Sequence, residues 1–153
     1  MKSEPDVYSI ADMEAEGTGM WEGVRNYQAR NFMRAMRAGD LVVFYHSNAK
    51  PPGAAGVVRV AREAYPDPTQ FDPKSPYFDK KGPAKGSTQP RWDCVDVSFV
   101  EAFPHLVPLA ELKAAAKLTD MRLVQKGSRL SVTPVTKVEF RTVLKMAGAV
   151  TRV

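Results

Sequence analysis

The stretch Leu41-Val-Val-Phe-Tyr-His46 marks the point where the chain changes from helical to strand-like patterning. The residues before it carry apolar side chains at helical spacing, whereas this run is continuous, short and rich in β-branched and aromatic residues. Gly56–Arg62 has a similar character, and Pro51-Pro52-Gly53 between the two runs is a turn signal. We therefore predict two strands joined by a turn.

A helix is predicted immediately before this pair of strands. Asn26 is a suitable N-cap residue, and Gly39 stands where a helix of about ten residues would be followed by a C′ glycine. The apolar residues between them recur on one helical face: Ala29, Phe32, Met33 and Met36. Arg30, Arg34 and Arg37 fall outside that face, so we expect them to meet solvent or a partner.

Shorter elements complete the chain. The predicted elements are an extended segment Met1–Ile10, a helix from the capping pattern Ser9–Asp12 to about Glu16, strands Trp92–Phe99, Met121–Val124 and Leu130–Val132, a helix opening at Pro108, and a helix following the capping box Thr136–Glu139. Strands and helices do not alternate as βαβ units, which argues against a doubly wound sheet. We predict one domain over residues 1–153 with an α+β fold, a small mixed β-barrel flanked by short helices.

One long segment has no predicted secondary structure. Tyr65–Pro90 contains six prolines and two glycines, and from Asp72 to Arg91 it carries five basic residues against two acidic ones. A loop of this length in a small domain is usually functional or mobile. Its basic character indicates contact with an anionic partner.

Charge is distributed unevenly along the chain. The net charge is +5, but residues 1–21 contain one basic and five acidic residues, so the remainder carries +9. A basic surface favours polyanionic partners, although many small proteins are basic without a specific reason. No apolar stretch is long enough to span a bilayer and the N-terminus lacks the apolar core of a signal peptide, so we expect a cytoplasmic protein without membrane contact.

Catalytic patterns are largely absent. Neither His46 nor His105 has a second ligand at metal spacing, and the single cysteine, Cys94, is expected to be a buried filler. Asp93 and Asp96 lie three apart on a predicted strand and so face opposite sides. We expect no enzyme activity and no cofactor, with general-base catalysis by His46 as the one enzymatic alternative.

The aromatic residues favour binding of nucleic acid. Trp21 stands between Gly19 and Gly23, directly ahead of the basic helix, which is more typical of a ligand contact than of a core position. Aromatic faces stack on unpaired bases while cations contact phosphates. Trp92 is also compatible with a strand core position, and for Tyr45 we favour that position. The polar pair after the strand, Ser47 and Asn48, is equally compatible with a simple turn.

Several motifs resemble the EVE domain family, and they occur in one order from Met1 to about Leu144. They are Lys2-Ser-Glu-Pro5, Trp21-Glu-Gly-Val-Arg-Asn-Tyr-Gln-Ala-Arg-Asn31, Gly39-Asp-Leu-Val-Val-Phe-Tyr-His-Ser-Asn48, Glu63-Ala-Tyr-Pro-Asp-Pro68, Pro90-Arg-Trp92, Val95-Asp-Val97 and Arg129-Leu-Ser-Val-Thr-Pro-Val135. This resemblance implies a PUA-like mixed β-barrel, similar to the YTH domain. It also implies that the domain binds a modified base that is flipped out of the nucleic acid, and that it does not catalyse a reaction. Modified cytosine in DNA is the favoured ligand, and modified RNA is an alternative.

The resemblance also implies a set of pocket residues. They are Lys2, Ser3, Trp21, Val24, Arg25, Asn26, Tyr45, His46, Ser47, Asn48, Trp92, Arg129, Leu130 and Ser131. Outside the pocket, we expect phosphates to be held by Arg30, Arg34, Lys80, Lys81 and Lys85. A competing hypothesis is a sensor of a free nucleobase-like heterocycle in the same pocket, and a monomer is expected in either case.

Overall fold

The computed structural model describes residues 1–153 and contains five strands and four α-helices. The strands are β1 (Lys2–Ser3), β2 (Thr18–Trp21), β3 (Leu41–His46), β4 (Gly53–Pro66) and β5 (Asp93–Pro108). The helices are α1 (Ile10–Glu16), α2 (Tyr27–Ala35), α3 (Leu109–Ala114) and α4 (Lys137–Ala147), with short 3-10 helices at Pro68–Phe71, Ala116–Leu118 and Arg122–Val124. The predicted α+β class is confirmed.

All five strands belong to one mixed sheet in the order β1-β3-β4-β5-β2. Strand β1 runs parallel to β3, and the remaining pairs are antiparallel. The long strands β4 and β5 shift register at four places, and such bulges bend a sheet strongly. The sheet is nevertheless not closed into the barrel that we predicted, because β1 and β2 are edge strands that do not pair with one another.

Strand β3 is apolar from Leu41 to Tyr45 because both of its faces are covered. Val42 and Phe44 belong to one hydrophobic core, while Val43 and Tyr45 belong to the other. Successive side chains of a strand point to opposite faces, so a strand buried on both sides needs a continuous apolar run. Two separate cores therefore lie against the two faces of the sheet.

The helices divide between these two cores. Helices α1 and α2 contribute Met13, Ala29 and Met33 to the first core, whereas α3 and α4 supply Leu112 and Phe140 to the second. Their N-termini are capped as predicted, with Asn26 accepting from the Ala29 amide at 3.0 Å and complete capping boxes opening α1 and α4.

Three predicted details were wrong. Helix α2 ends at Ala35, and Gly39 lies in the turn that follows, with φ of 93°. The predicted strand Met121–Val124 contains a 3-10 turn, and Leu130–Val132 forms no ladder. In each of these two runs one buried side chain, Met121 or Val132, anchors a loop to a core, and the sequence pattern does not distinguish an anchor from a strand.

None of the helices combines the length and apolar character needed to cross a bilayer.

Candidate functional site

A cavity of about 940 Å³ opens where the two edge strands approach the same space. Lys2 and Ser3 of β1 line one side, and Met20 and Trp21 of β2 line the other. Because the sheet is bent but not closed, the cavity occupies the gap between its edges. Its volume is within the range of small-molecule sites.

Trp21 forms a flat wall of this cavity. It lies at the end of β2 rather than in a hinge, pairs with Val95 of β5, and packs edge-to-face on Phe44 with ring centroids 5.5 Å apart. Apolar side chains buried in the first core, Met13, Val24 and Val97, also line the cavity. The wall is therefore held in place by the first core, and buried apolar side chains lie beside it within a cavity that also has many polar residues.

Nine of the fourteen pocket residues expected from the sequence line this cavity. They are Lys2, Ser3, Trp21, Val24, Arg25, Ser47, Asn48, Arg129 and Ser131. The segments that carry them are joined by backbone bonds, since the Lys2 amide donates to the Ser131 carbonyl and the Ser47 amide donates to the Ser3 carbonyl. Chain segments far apart in sequence are thus brought to one place.

The other five residues lie elsewhere. The side-chain oxygen of Asn26 is used to cap α2, and Leu130 does not reach the cavity. Tyr45 points to the opposite face of the sheet, where it is 4% exposed, and burial raises the pKa of its phenol. There it lines a second, mainly apolar cavity of about 540 Å³ between α2 and α4.

His46 has a structural hydrogen bond. Its Nε2 accepts from the backbone N–H of Ile10, the first residue of α1, at 3.1 Å. That amide has no partner within the helix, so the imidazole completes the helix N-terminus. Burial lowers the pKa of His46, which keeps the ring neutral and able to accept.

Arg25 fastens the connection between β4 and β5, which we name the β4–β5 loop (residues 67–92). All five N–H groups of its guanidinium are engaged, by the Val24 carbonyl, the Asp67 carboxylate, the Thr69 hydroxyl and twice by the Tyr77 carbonyl. Because a guanidinium has five donors, none is left for a phosphate. Arg25 lines the cavity but acts as a clasp for the loop.

Asp67 is the buried partner of this clasp. Its carboxylate is fully buried and accepts from the Gly23 amide at 2.8 Å, from Arg25 at 3.0 Å and from the Thr69 amide and hydroxyl. Burial alone would raise the pKa of Asp67, but the hydrogen bonds from Thr69, Gly23 and Arg25 outweigh it, and the pKa lies below its usual value.

Trp92 is not a wall of the cavity. It is 8% exposed and stacks on Tyr27 with centroids 4.8 Å apart, and its backbone N–H and C=O both bond to the side chain of Gln70. The Arg25 guanidinium lies 5.6 Å from its ring. Trp92 therefore supports the base of the β4–β5 loop from the side away from the cavity.

The expected phosphate contacts fall into two groups. Arg30 donates to the Arg91 carbonyl at 2.8 Å and Arg34 pairs with Asp93, so both have partners within the protein. Lys80, Lys81 and Lys85 are exposed on the β4–β5 loop, which reaches the cavity through Tyr77.

Sequence reasoning missed several residues of the site. Tyr8, Glu16 and Glu22 line the cavity, and Tyr77 covers Gly23 so closely that a Cβ there would lie 2.7 Å from the phenol ring. The two glycines around Trp21 were the available signal, since a glycine often marks a place where another group approaches the backbone. No three His, Cys, Asp or Glu side chains are grouped to hold a metal ion.

Residues 1–146 match the sequence model of the EVE domain, so the chain belongs to the EVE domain family. The motif resemblance noted in the sequence is thereby confirmed.

Named relatives and solved structures cover nearly the whole chain. Human thymocyte nuclear protein 1 is 43% identical over 95% of this chain and 72% of its own length. A crystal structure of a protein from Pseudomonas putida superimposes with a TM-score of 0.90 at 49% identity, covering 96% of this chain and 97% of that one. The crystal structure of human THYN1 in complex with DNA containing 5-methylcytosine has a TM-score of 0.88 at 43% identity, covering 96% and 95% of the two chains.

Proposed function

We propose that this protein binds DNA carrying a modified cytosine and holds that base, rotated out of the helix, in the cavity between β1 and β2. The main support is the structural similarity over 96% of the chain to THYN1, which was crystallised with DNA containing 5-methylcytosine. In this chain, the cavity between β1 and β2 provides a space that such a base could occupy.

A base taken out of the stack needs a surface for its ring and partners for its polar edge. Trp21 offers the flat surface, and Met13, Val24 and Val97 offer an apolar boundary suited to a methyl group. Neutral polar groups at Ser3, Ser47 and Asn48 lie around the same space. A wrong base would leave such groups unpaired, which is an efficient way to discriminate between ligands.

Basic residues at the cavity mouth fit the phosphate backbone. Lys2 and Arg129 line the cavity, and exposed lysines follow Tyr77 on the β4–β5 loop, which reaches the cavity through that tyrosine. Contacts of this kind add affinity and fix orientation without reading sequence.

We propose that no chemical step accompanies binding. The one histidine considered as a base, His46, uses Nε2 as the acceptor for Ile10 and is not among the cavity-lining residues. A monomeric state and a cytoplasmic location are further proposals, made from the sequence.

The test is fluorescence anisotropy with labelled duplexes that differ only in cytosine, 5-methylcytosine or 5-hydroxymethylcytosine at one position, at about 50 mM and about 200 mM salt. We expect tighter binding to one modified duplex and a steep loss of affinity with salt. Trp21→Ala should lose about 1–3 kcal/mol of binding free energy, which is the contribution of one aromatic stack on a base. Val138→Ala, an exposed change on α4, should bind like wild type.

The alternatives give different outcomes. Equal affinity for all three duplexes would indicate a general DNA-binding protein that does not distinguish modified cytosine. Tighter binding to a matched RNA with the same modification would indicate that the natural ligand is RNA. Salt-independent binding of a free base, with none of the duplexes bound, would instead support the small-molecule sensor.

A further inference from the structure

A phenol–carboxylate pair borders the cavity beside Trp21. The hydroxyl of Tyr8 donates to Oε2 of Glu16, and both side chains line the cavity. The same hydroxyl lies 3.7 Å from the sulfur of Met13, which is fully buried. The pair is thereby anchored to the first core.

Gly19 makes room for this pair. A Cβ at Gly19 would lie 3.2 Å from Oε2 of Glu16 and 3.3 Å from the Tyr8 hydroxyl, so the pair rests directly on the glycine backbone. Gly19 and Trp21 are two residues apart on β2 and therefore face the same side of the sheet. Glu16 consequently lies next to the wall on which a base would stack.

The pair leaves one carboxylate oxygen free. Glu16 makes no hydrogen bond through Oε1, while its Oε2 is held by Tyr8. Burial and the bond to Glu16 raise the pKa of Tyr8, so the phenol stays protonated and remains the donor. An ionised carboxylate only accepts hydrogen bonds, so the free oxygen can accept from a donor on a ligand in place of water.

We propose that Glu16 reads the exocyclic amine of the bound cytosine and that Tyr8 positions Glu16 for this purpose. The proposal rests on the function proposed above and concerns the base identity rather than the modification. 5-Methylcytosine and thymine share the methyl group, but cytosine presents an amino donor at position 4 where thymine presents a carbonyl acceptor. A thymine would therefore place an oxygen against a carboxylate.

Other carboxylates near the cavity do not have this arrangement. Glu22 also lines the cavity, but its side chain forms no hydrogen bond to another side chain that would fix its direction. It lies one residue beyond Trp21, past the end of β2. Glu14, an exposed residue of α1 that does not line the cavity, serves as the control for a general effect of negative charge.

The experiment compares affinities for duplexes that carry 5-methylcytosine, cytosine or thymine opposite the same guanine. The mismatched thymine flips more easily, but this bias is the same for every variant and cancels when ratios are compared. Wild type should prefer 5-methylcytosine to thymine. Glu16→Gln, whose amide can donate as well as accept, should reduce that ratio by roughly tenfold or more and keep the preference for 5-methylcytosine over cytosine.

Two further variants separate reading from charge. Tyr8→Phe retains the carboxylate but removes its anchor, so we expect part of the same loss of discrimination. Glu14→Gln should leave the ratio of 5-methylcytosine to thymine unchanged. Thermal melting of each variant provides the check on folding, and because Glu16 is exposed we expect small shifts.

The inference is overturned if Glu16→Gln keeps the wild-type ratio, or if Glu14→Gln changes it as much. Failure of the underlying function has another signature, since wild type would then not distinguish 5-methylcytosine from cytosine at all.

Discussion

His46 joins the end of β3 to the start of α1, and the bond requires its ring to be neutral. Nε2 accepts from the Ile10 amide, and burial lowers the pKa of the imidazole. An imidazolium would lose this acceptor and would place a positive charge at a helix N-terminus, which is unfavourable. The neutral form is therefore linked to folding.

We predict that this histidine makes stability pH-dependent. In the unfolded chain it titrates near its ordinary value of about 6.5, whereas in the folded protein it titrates lower. As the pH falls below about 6.5 the unfolded state takes up the proton first, so stability decreases until the folded state is protonated as well. His46→Gln keeps an acceptor that does not titrate.

The measurement is the melting temperature between about pH 7.5 and about pH 5.5. The slope should be shallower in His46→Gln than in wild type, while His105→Gln, at an exposed position, should follow wild type. Identical slopes in all three proteins would show that His46 is not linked to folding.

Single polar residues were the least predictable part of the site. Trp21 could be identified from its glycine neighbours, but Asn26, His46 and Arg25 have side chains that serve equally well as ligand contacts or as structural bonds. Which use applies depends on the direction of the backbone at that point. Asn26 was predicted both as a helix cap and as a pocket residue, and its side chain is committed to the cap because its φ and ψ are extended, which the sequence does not show.

At the scale of elements, the β4–β5 loop is held against the cavity by a few contacts. Gly23 donates to Asp67, Arg25 bonds to Tyr77, and the Tyr77 ring lies over the Gly23 backbone. Gly23 has φ of 84°, a conformation that favours glycine, and its missing side chain is the space that the ring fills. The order of the loop thus depends on one glycine.

We predict that Gly23→Ala releases the loop and weakens DNA binding. An L-residue at this positive φ costs about 1–2 kcal/mol, and the new Cβ would in addition displace the Tyr77 ring. Gly127→Ala is the matched control, since Gly127 has φ of 76° but nothing within 4 Å of an added Cβ.

Limited proteolysis at Lys80, Lys81 and Lys85, together with melting temperatures, distinguishes the two effects. Both variants should have lower melting temperatures than wild type. Only Gly23→Ala should be cleaved faster by trypsin at these lysines, because the released loop fits the protease more readily. Equal cleavage in Gly23→Ala and Gly127→Ala would mean that the tyrosine contact does not order the loop.

The elements themselves were largely predictable, because capping patterns and periodicity are local. All four helices and the central strands appear close to the predicted positions. The full lengths of β4 and β5 were not predictable, because both strands continue through bulges and β5 passes Pro104, so they extend beyond the predicted runs. The long loop was predicted as a loop, but its attachment by Arg25 depends on contacts 42 to 52 residues apart in sequence.

For the whole molecule, the net charge of +5 favours a polyanionic partner, and the exposed lysines of the β4–β5 loop contribute to it. We predict that replacing Lys80, Lys81 and Lys85 together by alanine weakens binding to modified and unmodified duplexes alike. Each lysine that neutralises a phosphate contributes about 0.9 to the slope of log affinity against log salt, so this slope should become smaller.

The control is the double change Lys113→Ala and Lys117→Ala, which lies at α3 and the turn after it, against the other core. It lowers the net charge but should leave the salt slope unchanged. If it reduced the slope as much as the loop variant, the attraction would come from overall charge rather than from the loop. The modification preference should persist in both proteins.

The class of the fold followed from the pattern of elements, but the openness of the sheet did not. Whether two short edge strands meet depends on the accumulated bend of β4 and β5, which no local pattern encodes. The cavity exists because they do not meet, so its position could be inferred only through family resemblance.

The absence of a ladder between β1 and β2 also determines what entry of a ligand requires. In a sealed barrel, widening the lumen means rupturing inter-strand hydrogen bonds, which is slow and costly. Here no backbone ladder joins β1 to β2. The gap between these two strands can therefore widen through small rotations of side chains and of the bulged strands. The largest substituent that the pocket admits is then set by soft side-chain contacts around Trp21, not by the backbone ladder.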